Sequence, residues 1–125
     1  MNTKMLLAAT AILELPTGVI LLIAPSLAAE LLLGTELSSP AAVAVGRVAG
    51  AALFSIGLNC LLEWKGDGRK AGLVIGLLAY NLLVAILLAA AAVIESLHGI
   101  ALWPACVVHT GLALWCLWNS RRGTA

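Results

Sequence analysis

The sequence predicts an all-α membrane domain. Four transmembrane helices form a bundle, with a short interfacial helix between the first and second. Three observations carry this. Of 125 residues, 62% are hydrophobic and only 10% are charged, against about 45–50% and 25% in an average soluble domain. The apolar residues fall into four segments of about the 20 residues that a spanning helix needs. Almost all Lys and Arg then fall on one side of those segments. The chain reads as one domain over residues 1–125. Its net charge of +1 gives no basic face for nucleic acid.

The first span is expected over 5–24 and holds Glu14 and Pro16. The second, 41–62, holds Arg47, and the third, 71–94, has no charge. The fourth, 99–117, holds His109. Ser39-Pro40 reads as an N-cap followed by proline at the first helical position. Trp103-Pro104 falls in the first turn of the fourth span, where a missing N–H costs little. "KGDGRK", 65–70, is a polar break with two glycines. Between the first two spans, "PSLAAELLLG" opens on Pro25 and closes on Gly34. Leu27, Ala28, Leu31 and Leu32 share one helical face and Glu30 lies away from it, as in a helix lying at a membrane interface. "SLA" at 26–28 resembles a signal-peptide cleavage site, but the long apolar run interrupted by Glu14 argues against cleavage.

Orientation follows from charge. Lys4, Lys65, Arg69, Lys70, Arg121 and Arg122 occupy the N-terminus, the second connection and the C-terminus, which share one side in a four-span chain. Glu30, Glu36 and Glu95 occupy the other. Both termini are therefore expected in the cytoplasm, with the inner (plasma) membrane as location. Trp64, Trp115 and Trp118 near the inner boundary and Trp103 near the outer one fit an aromatic belt.

Helix rise places the polar residues. Glu14 falls about 15 Å from Lys4, Arg47 about 10 Å below Pro40, Tyr80 and Asn81 about 15 Å from Lys70, and His109 about 14 Å from Ile100. Each helix thus brings one polar group near the bilayer midplane, where facing lipid is costly. Glu14, Arg47, Tyr80, Asn81 and His109 are the expected ligand-binding or proton-relay residues. Glu14 and Arg47 are expected to pair, with the Ile12 carbonyl, freed by Pro16, as a further acceptor. A purely structural pair that fixes helix register is the plain alternative. Thr10, Thr17 and Gly18 sit at helical spacing around Glu14 and are expected to form a small, polar stripe with it. Gly46, Gly50 and Gly57 on the second span, and Gly72 and Gly76 on the third, form smooth strips for helix packing, within the bundle or in a dimer.

No metal or cofactor is expected. Cys106 and His109 share a helix face, but two ligands do not make a zinc site. His98, near the outer surface, offers His109 no second axial haem ligand within the chain. Cys60, Cys106 and Cys116 form no CxxC pair and read as packing residues. No GxSxG, HExxH or P-loop pattern marks an enzyme.

"ELPTGVILLIAPSLAAELLLG", "GRVAGAAL", "AYNLLVAILLA" and "LWPACVVHTGLALW" resemble an uncharacterised group of small bacterial four-span proteins, similar in layout to the DoxX-like membrane proteins. The resemblance covers most of the chain. It implies a four-span fold in a bacterial inner membrane and no particular substrate. Three functions remain open. The midplane cluster binds a small ligand or relays protons. Or the chain is an accessory or assembly subunit of a larger membrane complex, the cluster being structural. Or it is a membrane enzyme acting on a lipid or quinone, with Glu14 and His109 as acid and base. The expected partners are the lipid bilayer and either a second copy of the chain or other membrane subunits.

Overall fold

A computed structural model describes residues 2–66 and 70–122. The chain is all-helical there: α1 (Thr3–Ile23), α2 (Pro25–Leu33), α3 (Pro40–Lys65), α4 (Ala71–Val93) and α5 (Leu102–Arg122). Three of these, α1, α3 and α4, are long and apolar enough to cross a membrane. The fourth predicted span, α5, equals α1 in length at 21 residues. It carries Pro104, His109, Thr110 and Asn119 among its apolar residues, which leaves it less apolar than the other three.

The helix ends follow local chemistry. The Asn2 side chain accepts from the Lys4 N–H at 3.0 Å and opens α1. Ser39 Oγ accepts from the Ala42 N–H at 3.1 Å, and Pro40 begins α3, as the sequence predicts. Pro25 begins α2, and Gly34 ends it with φ 76°, a left-handed conformation that glycine adopts without strain. At the α3–α4 connection the Lys70 ammonium donates to the Glu63 carbonyl and, at 2.7 Å, to that of Gly66. A cation thus meets the negative end of α3. Asp67, Gly68 and Arg69 of the predicted polar break lie outside the described residues, as does the side chain of Arg122.

α5 begins at Leu102, three residues later than expected, because the preceding backbone is engaged elsewhere. The Ala101 N–H donates to the Leu31 carbonyl at 2.9 Å. Gly99 packs so tightly on the Leu32 carbonyl that a Cβ would collide with it. The α4–α5 connection therefore clasps the end of α2. Pro25 and Ala29 are the buried residues of α2, while Leu27, Glu30 and Leu31 are exposed.

Two helix pairs, α1 with α3 and α4 with α5, build the bundle. The first pair meets along glycines. A Cβ on Gly18 would lie 2.5 Å from the Phe54 nitrogen, and one on Gly57 2.8 Å from Leu15 Cγ. Gly46 instead faces Leu37 and Pro25. Gly72 and Gly76 have no atom within 4 Å of a Cβ position and are exposed, so the expected packing strip on the third span makes no such contact in the described chain. The two pairs meet in one apolar cluster, in which Leu6, Leu7, Cys60 and Cys116 are fully buried together with Ala11, Val74, Leu77 and Leu112. All of these positions lie toward the helix ends that carry the termini. The three free cysteines behave as packing residues.

Candidate functional site

Immediately beyond that cluster comes a polar layer. On α1, the inward face repeats at helical spacing through Leu7, Thr10, Ala11, Glu14 and Gly18, all buried. Glu14 is only 3% exposed. On α4 the same logic turns Val74, Leu77, Asn81 and Ala85 inward. Tyr80, one position before Asn81, sits at the edge of this face and is half-buried. His109 enters from α5, also half-buried.

These four side chains form a connected set. The Tyr80 hydroxyl donates to Glu14 Oε2 at 3.1 Å, linking α4 to α1. The Tyr80 and His109 rings meet edge to face, centroids 5.7 Å apart and planes at 83°. His109 Nδ1 lies 2.8 Å from Asn81 Oδ1. The Asn81 amide donates to the Leu77 carbonyl at 2.8 Å, so its oxygen is the atom turned to the histidine. An amide oxygen only accepts. His109 Nδ1 therefore carries the hydrogen, and in the neutral ring Nε2 keeps the free lone pair. The layer thus holds a carboxyl group, a phenol and an imidazole, three groups that exchange protons, within one level of the bundle.

Thr10 adds a further polar group one turn from Glu14. Thr17, Ser55 and Thr110 each bond the carbonyl four residues earlier, at 2.7–2.8 Å. These three are exposed. Thr10 is fully buried, yet its hydroxyl has no partner among the described residues. A buried hydroxyl left so costs about 1–3 kcal/mol. Thr17 does not join Thr10 and Gly18 on the inward face, contrary to the expected polar stripe.

Arg47 stands apart from the other four expected residues. It is exposed, and among the described residues it makes no ion pair with Glu14. The expected pairing is replaced by the Tyr80–Glu14 bond. Helix geometry explains this. Gly57 packs on Leu15, Gly50 on Leu21 and Leu22, and Gly46 on Pro25, so Arg47 lies level with the far end of α1, about ten residues or roughly 15 Å along the helix from Glu14. The Ile12 carbonyl does not join the layer either. Ile12 and Pro16 lie on the exposed side of α1, opposite the buried Glu14.

One consequence is a stability prediction opposite to that of a buried ion pair. Arg47→Ala strands no charge, so it should change stability by no more than about 0.5 kcal/mol, as for an exposed site. Reversible unfolding in mixed detergent micelles, followed by circular dichroism, checks this. A loss of about 3–5 kcal/mol, the cost of breaking a buried pair, would restore the Glu14–Arg47 assignment.

Among the described residues no group of three His, Cys, Asp or Glu side chains is placed to hold a metal ion. Compared with known proteins, the chain matches no family model, no curated protein and no solved structure.

Proposed function

We propose that the chain is a four-span membrane protein whose polar layer relays protons through the bundle interior. The observation that carries this is the Tyr80 hydroxyl bonded to the buried carboxyl group of Glu14, with the His109 ring against the same tyrosine. Buried ionisable groups in a spanning segment are costly, and proton pathways are one use that repays them. Glu14 is the group that takes up and releases the proton. His109 is the second exchanging group, held in one tautomer by Asn81. Tyr80 connects the two. A small protic molecule seated against the Glu14 carboxyl and the Thr10 hydroxyl is the corresponding ligand-binding form of this reading. In this arrangement α5 is the fourth span and α2 lies at the outer interface. The termini are then cytoplasmic and the bacterial inner membrane is the location.

Proteoliposomes with an internal pH dye test the relay. A potassium gradient with valinomycin drives proton entry. Wild type should acidify the lumen, and Glu14→Gln should slow this by roughly a hundred-fold, the scale of losing a positioned acid–base group. Arg47→Ala, outside the layer, should leave the rate unchanged. A Glu14→Gln rate equal to wild type would rule the relay out.

A second reading, an accessory subunit of a larger membrane assembly, draws on α3. Only 11% of its most apolar stretch is buried, against 33% for α1 and 28% for α4.

A further inference from the structure

Three buried side-chain atoms have no hydrogen-bond partner among the described residues: Thr10 Oγ1, Trp115 Nε1 and Asn119 Nδ2. Each such group weakens the fold unless something pairs with it. Their positions are not scattered. Glu14 meets Tyr80, and between α4 and α5 Asn81 meets His109 and the Ala85 carbonyl meets Cys106. These contacts fix the helix levels. α5 runs opposite to α4, so Trp115 falls level with Ile75 and Asn119 with Ala71, about 8 Å and about 14 Å from the level of Tyr80. Thr10 lies about 6 Å from Glu14 on the same face of α1. All three therefore lie between the polar layer and the helix ends that carry the termini.

They also converge. Leu112, Trp115, Cys116 and Asn119 follow one another at helical spacing, so one face of α5 carries both donors. Leu112 and Cys116 are buried in the apolar cluster with Leu7 and Ala11, which flank Thr10 on α1, and Trp115 packs against that cluster. Side chains tilt toward the N-terminus of their own helix. Thr10 on α1 thus leans toward the termini, and Trp115 and Asn119 on the antiparallel α5 lean toward the layer. Beyond the layer, toward the α4–α5 connection, every buried residue among those described is apolar or glycine. Cys106, half-buried there, donates its thiol hydrogen to the Ala85 carbonyl at 3.6 Å.

We propose that these three groups hold a file of water molecules that connects Glu14 to the solution on the side of the termini. The file rests on the relay reading for its use, and deepens it by naming the way in. The chemistry selects water. The indole N–H and the amide N–H only donate, so each needs an acceptor, while the Thr10 hydroxyl both donates and accepts. A buried water accepts from an N–H and still bonds onward. Levels about 6 Å apart, Glu14 to Thr10 and Trp115 to Asn119, are spanned by one water making two steps of about 2.8 Å. A proton entering the file forms an O–H bond on the first water as another O–H bond of that water breaks toward the next. The last water protonates the Glu14 carboxylate. The indole and the amide hold the file in place and exchange no proton with it.

Infrared spectroscopy of proteoliposome films tests this. In films acid enough to protonate Glu14, its C=O stretch, identified as the band lost in Glu14→Gln, shifts as heavy water replaces water and the carboxyl hydrogen exchanges. Thr10→Val keeps the side-chain shape without the hydroxyl. It should slow this exchange roughly ten-fold, the rate equivalent of one hydrogen bond. Trp115→Phe should slow it too. Thr10→Ser, which restores a hydroxyl, and Cys106→Ala, beyond the layer, should match wild type. Exchange in Thr10→Val as fast as in wild type would overturn the file. Equal slowing in Cys106→Ala would do the same, by putting the way in on the other side. The relay is judged separately, by proton entry into liposomes. If Glu14→Gln blocks entry while Thr10→Val exchanges at the wild-type rate, the file alone is removed. If exchange depends on Thr10 but wild type admits no protons, the relay alone is removed. Should Thr10→Val not fold, magnetisation transfer from water to the Trp115 indole N–H in wild type decides: transfer supports the file, and a dry indole overturns it.

Discussion

Gly18→Ala should destabilise the bundle by about 1–3 kcal/mol, the usual cost of overpacking a filled interior. The methyl group would lie 2.5 Å from the Phe54 nitrogen, 2.8 Å from the Gly50 carbonyl oxygen and 2.9 Å from Phe54 Cα. All three are backbone atoms, so no side-chain rotation relieves the contact. The two helices must move apart, and the cost spreads along the seam to Gly57 and Leu15. Alanine also gains up to about 1 kcal/mol over glycine inside a helix, which offsets part of the loss. Gly72→Ala and Gly76→Ala meet no atom within 4 Å. They should show the propensity gain alone and raise stability by up to about 1 kcal/mol each. The same residue change thus carries opposite signs at two kinds of position. Unfolding of the three variants in mixed micelles reads this directly. Equal stability of Gly18→Ala and wild type would mean that α1 and α3 are not held at backbone contact.

This contrast shows where the sequence was legible. The Ser39-Pro40 start of α3, the Gly34 stop of α2 and the helical character of 25–33 all rest on local signals, and the structure carries them. Depth was legible for four of the five polar residues, because a helix has a fixed rise. Glu14, Tyr80, Asn81 and His109 do come together at one level. What rise cannot give is rotation about each helix axis. That depends on which faces pack, and hence on partners far away in sequence. Nor can rise give how far two helices slide past each other: Gly46 packs on Pro25 and Gly50 on Leu21 and Leu22, so Arg47 lies roughly 15 Å along the helices from Glu14. Gly72 and Gly76 meet no atom in the described chain, since a smooth strip records that close approach is permitted, not that it happens within the bundle. The late start of α5 depended on a clasp between Leu31 and Ala101, which no local signal announces.

The second large effect concerns whether the polar layer is a lock or a site. Asn81 is fully buried and holds both the Leu77 carbonyl and His109 Nδ1. Asn81→Leu keeps much of the volume but leaves the histidine N–H without its acceptor, at a cost of about 1–3 kcal/mol. Replacing both partners by apolar groups of similar shape is often nearly neutral. Asn81→Leu combined with His109→Leu should therefore recover most of the stability lost by Asn81→Leu alone. The coupling from this double-mutant cycle should be of order 1–3 kcal/mol. A coupling near zero would mean that the Asn81–His109 bond does not form in the folded protein. Stability alone cannot separate a lock from a relay, because both need this bond. Proton entry can. The double variant is expected to fold nearly as well as wild type while removing the second exchanging group and the residue that orients it. A purely structural layer predicts that any proton flux survives in such a variant. A relay through Glu14, Tyr80 and His109 predicts that the flux falls with the imidazole, although the fold remains.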